Sequence, residues 1–70
     1  MGTTTYFENI IHDDNPKSVE TIDVEAGTTS YLGHQQMFLR VGEKKLILDE
    51  KTEKEFLDAF HRIGHYLGHY

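Results

Sequence analysis

Between Met37 and Leu48 the chain alternates on both sides of a Gly42-Glu43 step, and no other stretch restricts its fold as tightly. Met37, Leu39 and Val41 are separated by Phe38 and Arg40, and beyond the step Leu46 and Leu48 flank Ile47, with Lys45 before them. Successive side chains of a strand point to opposite faces, so this period of two reads as two strands joined by a tight turn. A two-residue loop that begins with Gly suits a type II′ hairpin, because glycine reaches positive φ without a Cβ penalty. The resulting register sets Leu39 across from Leu46, Met37 across from Leu48 and Phe38 across from Ile47, like against like on each face. A four-residue loop keeps the same parity, whereas a one-residue slip would turn every one of these side chains over.

The rest of the chain is built around this hairpin. Thr3-Thr4-Thr5-Tyr6-Phe7 is β-branched and aromatic and predicts a strand reaching toward Ile10-Ile11, with a helical turn from Phe7 to Ile11 as the alternative. His12 to Ser18 has turn chemistry, with an Asn15-Pro16 step inside it. From Val19 to Ala26, Ile22, Val24 and Ala26 alternate with Thr21, Asp23 and Glu25, which predicts a half-buried strand with an acidic outer face. Gly27-Thr28-Thr29-Ser30 is expected to be a polar turn. After the hairpin, Asp49 is a suitable N-cap, and Glu50, Glu53 and Glu55 bring negative charge to the positive end of a helix dipole. Thr52 with Glu55 offers a capping box one turn later. Phe56, Phe60, Ile63 and Leu67 fall on one helical stripe, expected to pack on the Met37/Leu39/Leu46/Leu48 face. Gly64 and Gly68 weaken the last turns, so the helix frays beyond Ile63 or ends at Gly68. The expected fold is α+β: an antiparallel sheet of three to four strands with one C-terminal amphipathic helix packed on one face, residues 1–70 forming a single domain.

Composition narrows the setting. A chain of 70 residues buries only about 60% of the surface its unfolded form exposes, so it starts from marginal stability. It has no cysteine, which removes disulfides and thiolate metal sites and agrees with a reducing compartment. No apolar run approaches the ~20 residues of a membrane span, and no basic-then-apolar leader is present. Met1-Gly2 lacks the Ser or Thr at position 6 that N-myristoylation requires, having Tyr6 instead. The expectation is a soluble, cytoplasmic protein without a cofactor.

The motifs that could carry chemistry are weak. His61, His65 and His69 recur every four residues and form a row on the helix face opposite the apolar stripe, beside Lys54 and Asp58. Imidazoles at that spacing could share a zinc ion, but His61-Arg62-Ile63-Gly64-His65 has Arg62 where a metalloprotease helix has its general-base Glu. Exposed histidines without supporting hydrogen-bond partners bind metal weakly, so no metal site is expected. Five histidines would also remove much of the net charge between about pH 8 and about pH 5.5, a second use for them. His12 beside Asp13-Asp14 does not make a catalytic pair, since adjacent loop residues rarely aim at one substrate, and Ser18 and Ser30 lie in no nucleophile motif. A chain this short rarely forms a small-molecule pocket of about 300 Å³ or more. Gly42-Glu43-Lys44-Lys45 lacks the second glycine of a phosphate loop. Gly64 and Gly68 have the small-residue spacing that lets helices approach closely. No enzyme is expected.

Charge is the more informative signal. The net charge of −5 lies entirely in residues 1–30, where Glu8, Asp13, Asp14, Glu20, Asp23 and Glu25 face a single base, Lys17. That excludes a nonspecific nucleic-acid footprint, which is basic, and favours a basic partner. Glu8, Asp13, Asp14, Asp23 and Glu25 form one negative face if the first strands are neighbours. Tyr66 and Tyr70, four apart on one flank of the stripe, are of a type that anchors protein interfaces. In size, acidity and lack of cysteine the chain resembles the small inhibitors that phages encode against host nucleases and defence complexes. The resemblance implies a non-enzymatic protein that docks onto and occludes a protein partner with a basic surface, with no direct nucleic-acid or membrane binding. The alternatives are a self-associating module, a homodimer through an edge strand, and a weakly metal- or pH-responsive protein using the His61/His65/His69 row.

Overall fold

A computed structural model describes residues 2–69. β1 (Thr4–His12), β2 (Thr21–Tyr31), β3 (His34–Val41) and β4 (Lys44–Ile47) are followed by α1 (Glu50–Tyr66). The strands form one antiparallel sheet in the order β1-β2-β3-β4. Each strand is thus joined to its spatial neighbour, the simplest topology open to a chain with turn signals this closely spaced.

The Gly42-Glu43 hairpin forms as its residues require. Val41 pairs with Lys44, Leu39 with Leu46 and Phe38 with Ile47. The Leu48 N–H extends the ladder by donating to the Met37 carbonyl at 2.9 Å. Gly42 has φ 62° and Glu43 keeps a negative φ, the combination a type II′ turn demands. β1 is a strand rather than a helical turn, and Asp13, Asn15 and Ser18 shape the loop after it. The Asp13 carboxylate accepts from the Asn15 N–H at 3.0 Å, and the Asn15 side chain accepts from the Lys17 N–H at 3.0 Å.

One expected turn is absent. Gly27 to Ser30 continues β2, and the chain reverses instead at Leu32-Gly33, between the Tyr31 and His34 pair. Both turn residues have positive φ, 51° and 81°, as in a type I′ turn. Threonines tolerate a pleated strand as well as a turn, and Leu32 concealed the real turn because a leucine seldom adopts this conformation. Leu32 is 80% exposed, so the strained backbone gains nothing from packing. Leu32→Asn is therefore expected to stabilise the fold by about 1 kcal/mol, read as a higher urea midpoint.

Helix α1 starts at the expected cap: the Asp49 carboxylate accepts from the Thr52 N–H at 2.8 Å. Asp49 rather than Thr52 thus supplies the cap. The helix ends at Tyr66 with Leu67 as its C-cap, and the Gly68 N–H beyond it donates to the His65 carbonyl at 3.1 Å while the His69 N–H donates to the Gly64 carbonyl at 3.0 Å. That pair of bonds is the Schellman arrangement, with glycine in its usual left-handed place.

α1 packs on the sheet through its first turns, where Phe56 is half-buried, but the rest of the expected stripe is not covered. Among the strands, only β3 comes close to the α1 backbone. The link is polar: Glu53 accepts from the Met37 N–H at 2.9 Å, and the Gln36 side chain donates to the Leu48 carbonyl at 3.0 Å. Phe60, Ile63 and Leu67 are each more than half exposed, as is Leu46 on β4. The carboxylate that ties Glu53 to the middle of β3 anchors the first turns, and the later turns are not laid over the Met37/Leu39/Leu46/Leu48 face.

Phe38 is the one fully buried side chain among the described residues, at 1% exposure. It lies between Gly27 on β2 and Ile47 on β4, its cross-strand partners, with the Lys45 ammonium 4.6 Å from the ring centroid. Directly opposed residues share a face, so Phe38 belongs with Glu25, Arg40 and Lys45. Val24, Ala26, Met37 and Leu39 lie on the other face.

Candidate functional site

Because β1 and β2 are neighbours, the carboxylates of the first 30 residues come together. Glu8 pairs with Glu25, Glu25 with Arg40, and Arg40 with Lys45, so one charged row crosses all four strands. Two carboxylates directly opposite one another repel, and the row is held by the guanidinium beside them. Arg40 Nε is 3.1 Å from Glu25 Oε1, one terminal nitrogen is 3.2 Å from Asp23 Oδ2, and the other is 3.8 Å from Glu8 Oε2. Arg40 also donates to the Gly42 carbonyl at 2.8 Å, tying the network to the β3–β4 turn. A planar guanidinium spreads its donors over three nitrogens and so reaches separated acceptors at once, whereas a lysine ammonium donates from a single nitrogen.

The fold shifts three carboxyl groups. The Thr5 hydroxyl, bonded to Glu25 at 2.7 Å, and then Arg40 hold the Glu25 carboxyl below its ordinary value. The Asn15 N–H and then the Ser18 hydroxyl lower Asp13. The Thr52 N–H and hydroxyl lower Asp49. Arg40 is raised further by Asp23 and Glu25 and stays charged. A depressed carboxyl contributes stability that is present above its ordinary value and lost as pH falls through the depressed one. Acidification below the ordinary glutamic-acid value of 4.5 is therefore expected to destabilise the fold, and Glu25→Gln to flatten that dependence. Urea midpoints measured from about pH 7 down to about pH 3 check both.

The expected binding residues divide into three groups. Glu8, Asp23 and Glu25 share the charged face, while Asp13 and Asp14, with Glu20, lie in the loop at the tip of the β1–β2 hairpin. The Asp13 N–H donates to the Glu20 carbonyl at 3.0 Å and closes that tip. Tyr66 is exposed at the end of α1, which approaches only β3, so it is not brought to the carboxylates. Tyr70 lies outside the described residues. Arg40 is the member that sequence reasoning missed: its pairing with Glu25 follows only from the β2–β3 register, which the Leu32-Gly33 turn sets.

The histidine row gathers no metal site: among the described residues no three His, Cys, Asp or Glu side chains converge to hold an ion. A groove larger than expected for a short chain does exist. It measures about 470 Å³ and lies between the sheet and the second turn of α1, lined among others by Tyr6, Ala26, Thr28, Met37 and Leu57. Its one carboxylate, Glu53, already accepts the Met37 N–H, and the lining brings no nucleophile and base together. No described helix is long and apolar enough to cross a membrane. Compared with protein-family models, curated proteins and solved structures, the chain matches none.

Proposed function

We propose that the chain is a non-enzymatic binding protein of the cytoplasm that docks its acidic β1–β2 hairpin onto a protein partner with a basic surface and occludes it. The observation that supports this reading is the gathering of Glu8, Asp23 and Glu25 on one face and of Asp13, Asp14 and Glu20 at the adjoining tip, against Arg40 and Lys45 on the face and Lys17 at the tip. A surface of one sign steers an oppositely charged partner and raises the association rate, an effect that salt suppresses. Partners whose basic groove serves nucleic acid fit this charge. Asp23 and Glu25 are tied to Arg40 and also hold the sheet, so Asp14 and Glu20 are the better positions for a charge test.

Capture of the tagged protein's partner from a lysate of its native host, followed by a salt wash, tests the reading. One stoichiometric protein, released by moderate salt and lost with Asp14→Lys/Glu20→Lys, is the expected result. A partner retained by that variant, or unaffected by salt, would contradict it. A second reading, the self-associating module, is favoured by a different observation, the uncovered stripe of α1.

A further inference from the structure

Two measures of the whole molecule point the same way. Its accessible surface is 5978 Å², whereas a folded monomer of 8.1 kDa presents about 4,500 Å². Its radius of gyration is 14.0 Å, against about 11 Å for a closed domain of this length. The excess of about 1,500 Å² per chain is what each protomer gives up in an obligate dimer, where interfaces bury about 2,000–5,000 Å² in total. Four of the exposed apolar side chains lie together. Leu57, Phe60, Ile63 and Leu67 are 51%, 55%, 53% and 58% exposed along one side of α1. No charged side chain interrupts them, and Leu57 also lines the groove beside Met37.

We infer that this stripe is covered by a second copy of the chain, the two α1 helices packing antiparallel about a two-fold axis. A two-fold interface uses one patch twice, so the stripe must complement itself, and it does in size and in charge. Antiparallel stripes set Leu57 against Leu67 of the second copy and the Phe60 ring against its Gly64, large side chains against small. The first half of α1 holds Glu50, Glu53, Glu55 and Asp58 against Lys51 and Lys54 and is net acidic, and Arg62 with His61, His65 and His69 follows it. An antiparallel pair brings the acidic first half of each helix beside the basic second half of the other, whereas a parallel pair would align like with like. Pairing of the exposed β1 edges would also make a dimer, but it would leave the stripe bare. The acidic hairpin lies elsewhere on the fold, so this assembly stands whether or not the proposed partner exists.

The chain has no cysteine, so a single introduced one reports only contacts between copies. Sedimentation equilibrium of the wild type is expected to give twice the 8.1 kDa chain mass. Ile63→Cys is expected to form an inter-chain disulfide on mild oxidation, while Lys51→Cys, on the other side of the helix, does not. A wild-type mass of one chain would overturn the inference. So would a dimer in which position 51 cross-links as readily as position 63, or one lost with Ile10→Lys on the β1 edge and kept with Ile63→Glu.

Discussion

Gly27→Ala is expected to unfold the protein. Gly27 lies in β2 opposite both Thr5 and Phe38, beside the irregularity in β1 between Thr5 and Phe7. The bulge carries the β1 backbone inward, so an added Cβ would overlap the Thr4 carbonyl oxygen and stand 3.0 Å from a Phe38 ring carbon. Side chains rotate away from such a clash, but a carbonyl inside a ladder cannot move without breaking its neighbours' bonds. Overpacking typically costs about 1–3 kcal/mol, and a clash with a carbonyl held in a ladder falls at the upper end of that range or beyond it. A chain below about 70–80 residues rarely has more than about 3–5 kcal/mol to lose. Loss of far-UV circular dichroism at room temperature is the readout, and a variant with the wild-type urea midpoint would contradict the placement of Gly27 under Thr4.

Phe38→Ala is the second large effect, about 3–5 kcal/mol, because it empties the one fully buried position among the described residues. The ring lies against Gly27, Ile47 and the Lys45 ammonium, and alanine would leave their shared space unfilled. The two substitutions are coupled in a checkable way. If Phe38 were the main obstacle to a methyl at position 27, Gly27→Ala/Phe38→Ala would be more stable than Gly27→Ala. The main obstacle is the Thr4 carbonyl, so no rescue is expected, and urea denaturation of the four proteins of that double-mutant cycle decides the point.

The β3–β4 hairpin was legible in the sequence because two independent signals coincided there, the period of two and a glycine where the turn needs positive φ. The helix start was legible for a similar reason, since Asp49 follows the strand and precedes three acids. The β2–β3 turn was not, because Leu32 adopts a backbone conformation that its residue type disfavours, and the threonines before it suit either a turn or a strand. That single miss hid the Glu25–Arg40 pairing, and with it the residue that organises the charged face. The acidic face itself was legible as composition, and the adjacency of β1 and β2 made it a surface. The stripe on α1 was read correctly as apolar, but period alone cannot say whether such a face meets its own sheet or another chain.

The most direct test of whether the fold is completed between two chains is the thermal midpoint as a function of concentration. Folding coupled to dimerisation makes the midpoint rise with protein concentration, by several degrees between about 1 μM and about 100 μM. That rise, abolished or strongly weakened in Ile63→Glu, is the expected result. A cooperative transition with one midpoint across the whole range would mean that the isolated chain is stable with its stripe uncovered, and would contradict it.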